Sequence, residues 1–311
     1  MDVGLLHPGE MGAAVGRCLC EGGHRVLWAS AGRGDATAAR ARAAGLTDAG
    51  TLADVVHGAD VILSICPPHA AVDVARAVAG FGCGCGCGFR FRGIFVDANA
   101  VSPATAREVG EIIEGGGGRF ADGGIIGPPP AEPGQTRLYL SGTHAATVVA
   151  LFAETVVDAR VVPGASDGAA SDGAASGAAV GAASAVKMAY AAWTKGTAAL
   201  LLATRALARA EGVEDTLLAE WALSQPGLST RSGQAARSAA AKGWRWIGEM
   251  EEIAAAMAAD DLPGGFHQAA ADIYRRAAQA GEPSLDAVLG TLAGQRELKL
   301  QSDQAVRRSA R

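Results

Sequence analysis

The sequence predicts an α/β protein, a doubly wound parallel sheet followed by an all-helical domain. Three observations carry that prediction. Short apolar runs alternate with helical segments up to about residue 163, and a glycine turn joins the first run to the first helix. Beyond Gly177 the pattern is helical only.

Val3-Gly4-Leu5-Leu6 is the first strand, and His7-Pro8-Gly9-Glu10-Met11-Gly12 opens an Ala-rich helix. A buried strand that feeds a tight glycine turn and a helix N-terminus suits an anionic pyrophosphate. Gly9 admits the backbone close to the phosphates, Gly12 admits the helix against the strand, and the helix amides face the anion. The first glycine of the G-x-G-x-x-G pattern is His7 here, which reads as a turn residue rather than a catalytic one. Val26-Leu27-Trp28-Ala29 is a second strand and residues 36–44 a helix. Val61-Ile62-Leu63-Ser64-Ile65 is a third strand, stopped by Cys66-Pro67-Pro68. Ile94-Phe95-Val96-Asp97 and Leu138-Tyr139-Leu140-Ser141 follow, with Ser102-Pro103 as a helix start between them. Ligands of such sheets sit beyond the carboxyl ends of the strands, where His7, Ser30, Cys66-Pro67 and Asn99 fall. Asn99 reads as either a turn former or a ligand of cofactor and substrate.

Residues 178–210 form one long helical run, apolar around most of its circumference, and further helices are expected at 216–224, 248–259, 265–280 and 285–292. The domains are read as 1–165 for the nucleotide, 166–176 as a low-complexity linker, 177–300 as a helical substrate and dimerisation domain, and 301–311 as a polar tail. The linker repeats Ser-Asp-Gly-Ala-Ala from Ser166 and Ser171, and Gly82-Cys83-Gly84-Cys85-Gly86-Cys87-Gly88 reads as an expanded loop.

A net charge of -5 leaves no basic footprint for nucleic acid or an anionic membrane. No apolar run reaches the roughly 20 residues that span a bilayer, and no basic segment precedes an apolar core at the N-terminus, so a cytoplasmic protein is expected. The six cysteines show neither Cys-x-x-Cys pairs nor histidines at ligand spacing, so no metal is expected.

Only four lysines occur, and Lys187 lies among small apolar neighbours. Burial disfavours a charged lysine, which makes it a useful proton donor near neutral pH. The second strand runs on through Ser30-Ala31-Gly32-Arg33 with no acid before Asp35. An NAD-selective site places a carboxylate there for the ribose hydroxyls, so Ser30 and Arg33 are expected to hold the 2′-phosphate of NADP(H).

These residues resemble the β-hydroxyacid dehydrogenase and 6-phosphogluconate dehydrogenase superfamily over nearly the whole chain. Gly4 to Gly12 matches the opening G-x-I-G-x-G-x-M-G except at His7, and Asp97 to Pro103 is similar to the D-x-[SN]-x-x-S-P segment beside the nicotinamide. Asp122-Gly123-Gly124-Ile125-Ile126-Gly127 stands at the substrate loop, and Gly181 to Met188 resembles the stretch with the catalytic lysine. Trp244 to Glu252 is similar to a branch with its own C-terminal domain. The resemblance implies a Rossmann-type fold, Lys187 and Asn99 as catalytic residues, Gly123, Gly124, Ile125, Ile126 and Lys187 around the substrate, and His7, Pro8, Gly9, Glu10, Met11, Gly12, Ser30, Arg33, Cys66, Pro67 and Asn99 around the cofactor. It also implies a homodimer, with the second subunit's helical domain helping to build the substrate pocket.

Two departures concern the substrate. The family's loop serine is Ile126, and the asparagine four residues after the lysine is Ala191, with Tyr190 beside it as a substitute donor. With Pro128-Pro129-Pro130 next to this loop, a bulkier or less anionic substrate than a small 3-hydroxy acid is expected. The reading is an NADPH-dependent oxidoreductase acting between a CH–OH carbon and its carbonyl. An imine reductase on the same fold and a non-catalytic NADP-binding protein are the alternatives.

Overall fold

A computed structural model describes residues 1–80, 90–164 and 179–293. The Gly–Cys repeat, the 166–176 linker and the 301–311 tail lie outside the described residues. The chain divides into two compact units, Met1–Ala189 and Tyr190–Arg311. The division falls inside a helix.

The first unit runs β1 (Asp2–Leu6), α1 (Glu10–Glu21), β2 (Arg25–Trp28), α2 (Asp35–Ala43), β3 (Thr47–Asp48), α3 (Leu52–Gly58), β4 (Val61–Ser64), α4 (Ala71–Gly80), β5 (Ile94–Asp97), α5 (Pro103–Gly115), β6 (Arg119–Ile126), β7 (Arg137–Ser141), α6 (Ala145–Ala150) and β8 (Asp158–Val161). The strands form one sheet in the order β3-β2-β1-β4-β5-β6-β7-β8. From β1 the chain winds outward to β3, returns to β4 and winds the other way, which leaves a crevice where the direction reverses. Pairing is parallel from β3 to β6, β7 is antiparallel to β6, and β8 runs parallel to β7. The doubly wound, mainly parallel sheet expected from the sequence is present, with β7 and β8 running opposite to the rest at one edge.

Alternate residues of each central strand feed opposite core layers, as the two-residue period of a sheet requires. Val3, Leu5, Val61, Leu63, Ile94 and Val96 pack with Val15 and Leu19 of α1 on one face. Leu6, Ile62 and Phe95 pack with Val55, Val78 and Val109 from α3, α4 and α5 on the other. Burial on both faces explains why these strands read as unbroken apolar runs.

Residues 122–126, expected as a loop, belong to β6, and all of them are buried. Paired glycines ordinarily weaken a strand. Here they admit a close neighbour: a Cβ on Gly124 would lie 2.8 Å from the Ala183 carbonyl oxygen and 2.9 Å from Lys187 Cβ. Ala183 and Lys187 lie on α7 (Ala182–Ala210).

In the second unit α7 continues beyond Ala189, followed by α8 (Glu214–Ser224), α9 (Leu228–Ala259), α10 (Gly265–Ala277) and a helical segment at 285–293. Sequence periodicity placed the third of these helices only from residue 248, yet α9 starts twenty residues earlier. Packing against α10 carries it through its internal glycine: a Cβ on Gly243 would meet the Tyr274 carbonyl at 3.3 Å. Buried Arg205 donates to Glu214 at 3.0 Å and to Ser232 at 2.7 Å, tying α7 to α8 and α9. Lys195 bonds to buried Glu249, and the Tyr274 hydroxyl donates to the Lys195 carbonyl at 2.6 Å.

The start of α7 is fixed by one carboxylate. Asp122 Oδ2 accepts from Gly181 N at 3.0 Å, Ser184 N at 3.0 Å and Ser141 Oγ at 2.8 Å, while Oδ1 accepts from Ser184 Oγ at 2.6 Å. Ser141 Oγ in turn accepts from Ala183 N at 3.1 Å. The buried anion thus satisfies amides that a helix start otherwise leaves open and complements the positive end of the helix dipole. Replacing Asp122 with alanine strands these buried donors and is expected to lower unfolding free energy by about 3 kcal/mol or more. Urea denaturation checks this, and a loss below about 0.5 kcal/mol contradicts the assignment.

Candidate active site

The β1–α1 turn keeps the conformation that its missing glycine would supply. His7 has φ 68°, in the left-handed region, one of the two non-glycine residues there among those described. Gly9 N donates to the His7 carbonyl at 2.7 Å. A Cβ on Gly12 would sit 2.6 Å from that same carbonyl oxygen, so the helix closes on the turn only with glycine at this position. At Gly9, by contrast, a Cβ would meet nothing within 4 Å, which leaves the backbone open on the side where a ligand approaches. Residue 7 departs from the fingerprint in side chain and keeps it in backbone.

A cleft of about 290 Å³ opens beyond the carboxyl ends of β1 and β2, against α3 and α4. His7, Ala31, Arg33, Leu52, Asp73 and Val74 are among its walls. Arg33, exposed after β2, donates its amide to the Ser30 carbonyl at 3.0 Å, closing a tight turn that holds both residues beside the cleft. Arg40 of α2 reaches the Pro8 carbonyl at 3.4 Å. Sequence reading missed it, and its only signal is one arginine among several on an exposed helix. Among the cleft's lining residues Asp73 is the one carboxylate, and Arg76 lies 3.5 Å from it. Burial, then the positive charge of Arg33, push the His7 pKa down to about 4, against a smaller opposing effect of the Leu6 carbonyl. The imidazole is neutral at pH 7, and its Nδ1 is buried without a hydrogen-bond partner. These features fit a dinucleotide: open backbone, a helix start and two arginines on an apolar slot.

The other residues expected at the cofactor divide. Glu10 is exposed in the first turn of α1, while Met11 packs on the core and Pro8 is buried. Pro67 is exposed at the start of the short 3-10 turn Pro68–Ala70. Cys66 is half-buried, and burial first of all raises its pKa to about 11, so it stays a thiol.

Asn99, expected as a turn former or a ligand of cofactor and substrate, lies at the carboxyl ends of β4 and β5. It is buried, and its Nδ2 donates to Ser64 Oγ at 3.2 Å and to Asp97 Oδ1. Its Oδ1 accepts from Cys66 N at 2.5 Å. With both amide hydrogens committed, Asn99 ties the carboxyl end of β4 to that of β5. Its Oδ1 thereby holds the backbone of the Cys66-Pro67 turn.

Lys187 is half-buried on the first part of α7 against Gly124. Gly123 lies against Asp97 and Ala98, where a Cβ would meet the Asp97 carbonyl at 3.0 Å. Lys187 is therefore placed near the carboxyl end of β5. Of the other residues expected around the substrate, Ile125 is buried in the core layer that also holds Val3 and Leu5, and Ile126 is buried as well. Tyr190, one turn on from Lys187, begins the second unit and is 46% exposed.

Residues 2–151 match the NAD-binding domain of 6-phosphogluconate dehydrogenase. The match covers 150 of the 311 residues, from β1 to the end of α6. Residues 208–277 match a domain of unknown function, DUF1932. No curated protein matches the chain. Among solved structures, a conserved protein of unknown function described as similar to 3-hydroxyacid dehydrogenases is 26% identical, covering 89% of this chain and 98% of its own with a TM-score of 0.60. A Mycobacterium tuberculosis 3-hydroxyisobutyrate dehydrogenase is 19% identical, covering 94% and 98% with a TM-score of 0.61. An Aspergillus terreus reductive aminase is 18% identical over 94% and 98%, with a TM-score of 0.53. The likeness of the last two is one of fold. The NAD-binding domain accounts for the turn, the cleft and the sheet's switch point together.

Proposed function

We propose that this protein is an NADPH-dependent oxidoreductase acting between a CH–OH carbon and its carbonyl on a small molecule. The observation that carries the reading is Lys187, held against Gly124 at the carboxyl rim of a dinucleotide-binding sheet. A bound nicotinamide would supply or accept the hydride there. The chain's own residues supply the rest. The His7 to Gly12 turn seats the pyrophosphate, and Asn99 fixes the Cys66-Pro67 turn beside it. Lys187 holds the proton for the substrate oxygen, as general acid in reduction and general base in oxidation. Asp122 and Ser184 set the height of Lys187 by fixing the start of its helix.

A carbonyl is favoured over an imine because an ammonium group has the charge that a developing alkoxide needs. The preference for NADPH rests on the loop after β2, where Arg33 lines the cleft and no carboxylate precedes Asp35. The substrate is bulkier or less anionic than a small 3-hydroxy acid, since Ile126 stands where a carboxylate-binding serine is expected.

The working form we propose is a homodimer. On α7, Tyr190, Trp193, Thr197, Leu200, Thr204 and Leu207 recur at alternating spacings of three and four, the period of a helix seam. Trp193, Leu200 and Leu207 are 69%, 50% and 63% exposed. Thr197 and Thr204 return their hydroxyls to the helix carbonyls of Trp193 and Leu200, which leaves the stripe apolar. A groove of about 520 Å³ runs along this stripe, walled by Trp221, Leu228 and Trp246, and suits a helix of a second copy. Among the described residues no helix is long and apolar enough to cross a membrane.

Three measurements test this reading. Lys187→Met keeps length and helix, so kcat with the true substrate from a panel of aldehydes, ketones, hydroxy acids and cyclic imines is expected to fall at least about a hundredfold with NADPH binding retained. Near-normal turnover removes the proposal. Arg33→Ala is expected to weaken NADPH about tenfold or more and leave NADH affinity nearly unchanged; an unchanged preference contradicts the cofactor assignment. Sedimentation at micromolar concentration is expected to give a dimer that a Leu200→Glu substitution dissociates, and a stable, active wild-type monomer overturns the seam.

A further inference from the structure

We infer that His7 takes up a proton when a dinucleotide binds at the β1–α1 turn, so that cofactor affinity in this chain rises as pH falls. The inference rests on the cofactor reading above and concerns a residue peculiar to this chain, since the fingerprint has glycine at this place.

The geometry comes first. The left-handed backbone at His7 seats its imidazole on the wall of the 290 Å³ cleft, one residue before the turn that opens α1. Nδ1 is buried there with no hydrogen-bond partner. The charged and titratable groups around it come from every neighbouring element. Arg33 stands after β2, Arg40 of α2 is bonded to the Pro8 carbonyl, and Glu10 lies in the first turn of α1. Cys66, a thiol, follows β4, and Asp73 of α4 lines the same cleft beside Arg76.

In the free protein burial and Arg33 keep the ring neutral. The positive end of α1 acts in the same direction. A pyrophosphate on the turn reverses the balance twice. Its negative charge favours imidazolium directly, and it offsets the arginine and helix charges that had opposed protonation. Solvent supplies the proton, and neutral imidazole becomes imidazolium with no other bond altered. By linkage, a group whose pKa rises on binding makes the ligand bind more tightly at lower pH, over the range between its free and bound pKa values.

The test compares wild type with His7→Gly, which suits the left-handed backbone, and with His7→Asn, which also tolerates it. NADP⁺ binding is followed by calorimetry in two buffers of different ionisation enthalpy, which counts the protons taken up. NADP⁺ titrates at its own 2′-phosphate, but that contribution is common to all three proteins. At about pH 6 wild type is expected to take up more protons than either variant. Between about pH 7.5 and 5.5 its Kd is expected to fall at least about threefold further than theirs. Equal proton uptake with parallel pH profiles overturns the role of His7 and leaves the cofactor reading standing. Absence of NADP⁺ binding in all three overturns both.

Discussion

One buried carboxylate holds the parts of this molecule that matter for chemistry in register. Asp122 sits in a strand whose other buried residues are apolar or glycine, and both its oxygens are taken up by the start of α7 and by Ser141 of β7. A free helix start there would leave buried amides without acceptors, and a free carboxylate would be a buried uncompensated charge. Each cancels the liability of the other. Gly124, two residues on, lacks the side chain that would otherwise push α7 away, so Lys187 lies against the sheet.

The rim is organised by a second polar network of similar logic. Asn99 bridges the ends of β4 and β5 through Ser64, Cys66 and Asp97, all at least half-buried. Such a network fixes loop position when every member is satisfied. Beside it lies a cleft walled largely by apolar side chains, with Arg33 and His7 at its polar side. An apolar slot with a few polar groups is the usual composition of a small-molecule site.

Much of this was legible in the sequence. The apolar strands β1, β2, β4 and β5, the glycine turn and the Ser102-Pro103 helix start follow from local rules, because burial on both faces and cap chemistry leave direct marks. Lys187 stands out in the sequence because lysine is rare and its neighbours are small. Partners that come from distant segments leave no such mark. The bonds of Asn99 to Ser64 and Cys66, more than thirty residues away, have no local signature. Gly124 read as part of a loop because the helix that demands it follows about sixty residues later. The long α9 was cut short for the same reason, since its Gly243 packs against Tyr274 of α10. Asp122 carried a signal that was available, a carboxylate inside a buried run, which is costly without dedicated partners.

The central claim is that the anchored α7 brings the ammonium group of Lys187 to the nicotinamide of an NADP(H) seated on the His7 to Gly12 turn. A crystal structure of the protein with NADP⁺ tests it most directly. The account predicts the pyrophosphate against Gly9, the 2′-phosphate at Arg33, and Lys187 Nζ within about 6 Å of the nicotinamide C4, the span of a substrate oxygen or one bridging water. A dinucleotide seated on the turn with Lys187 turned out of that reach, or one bound elsewhere on the sheet, would contradict it.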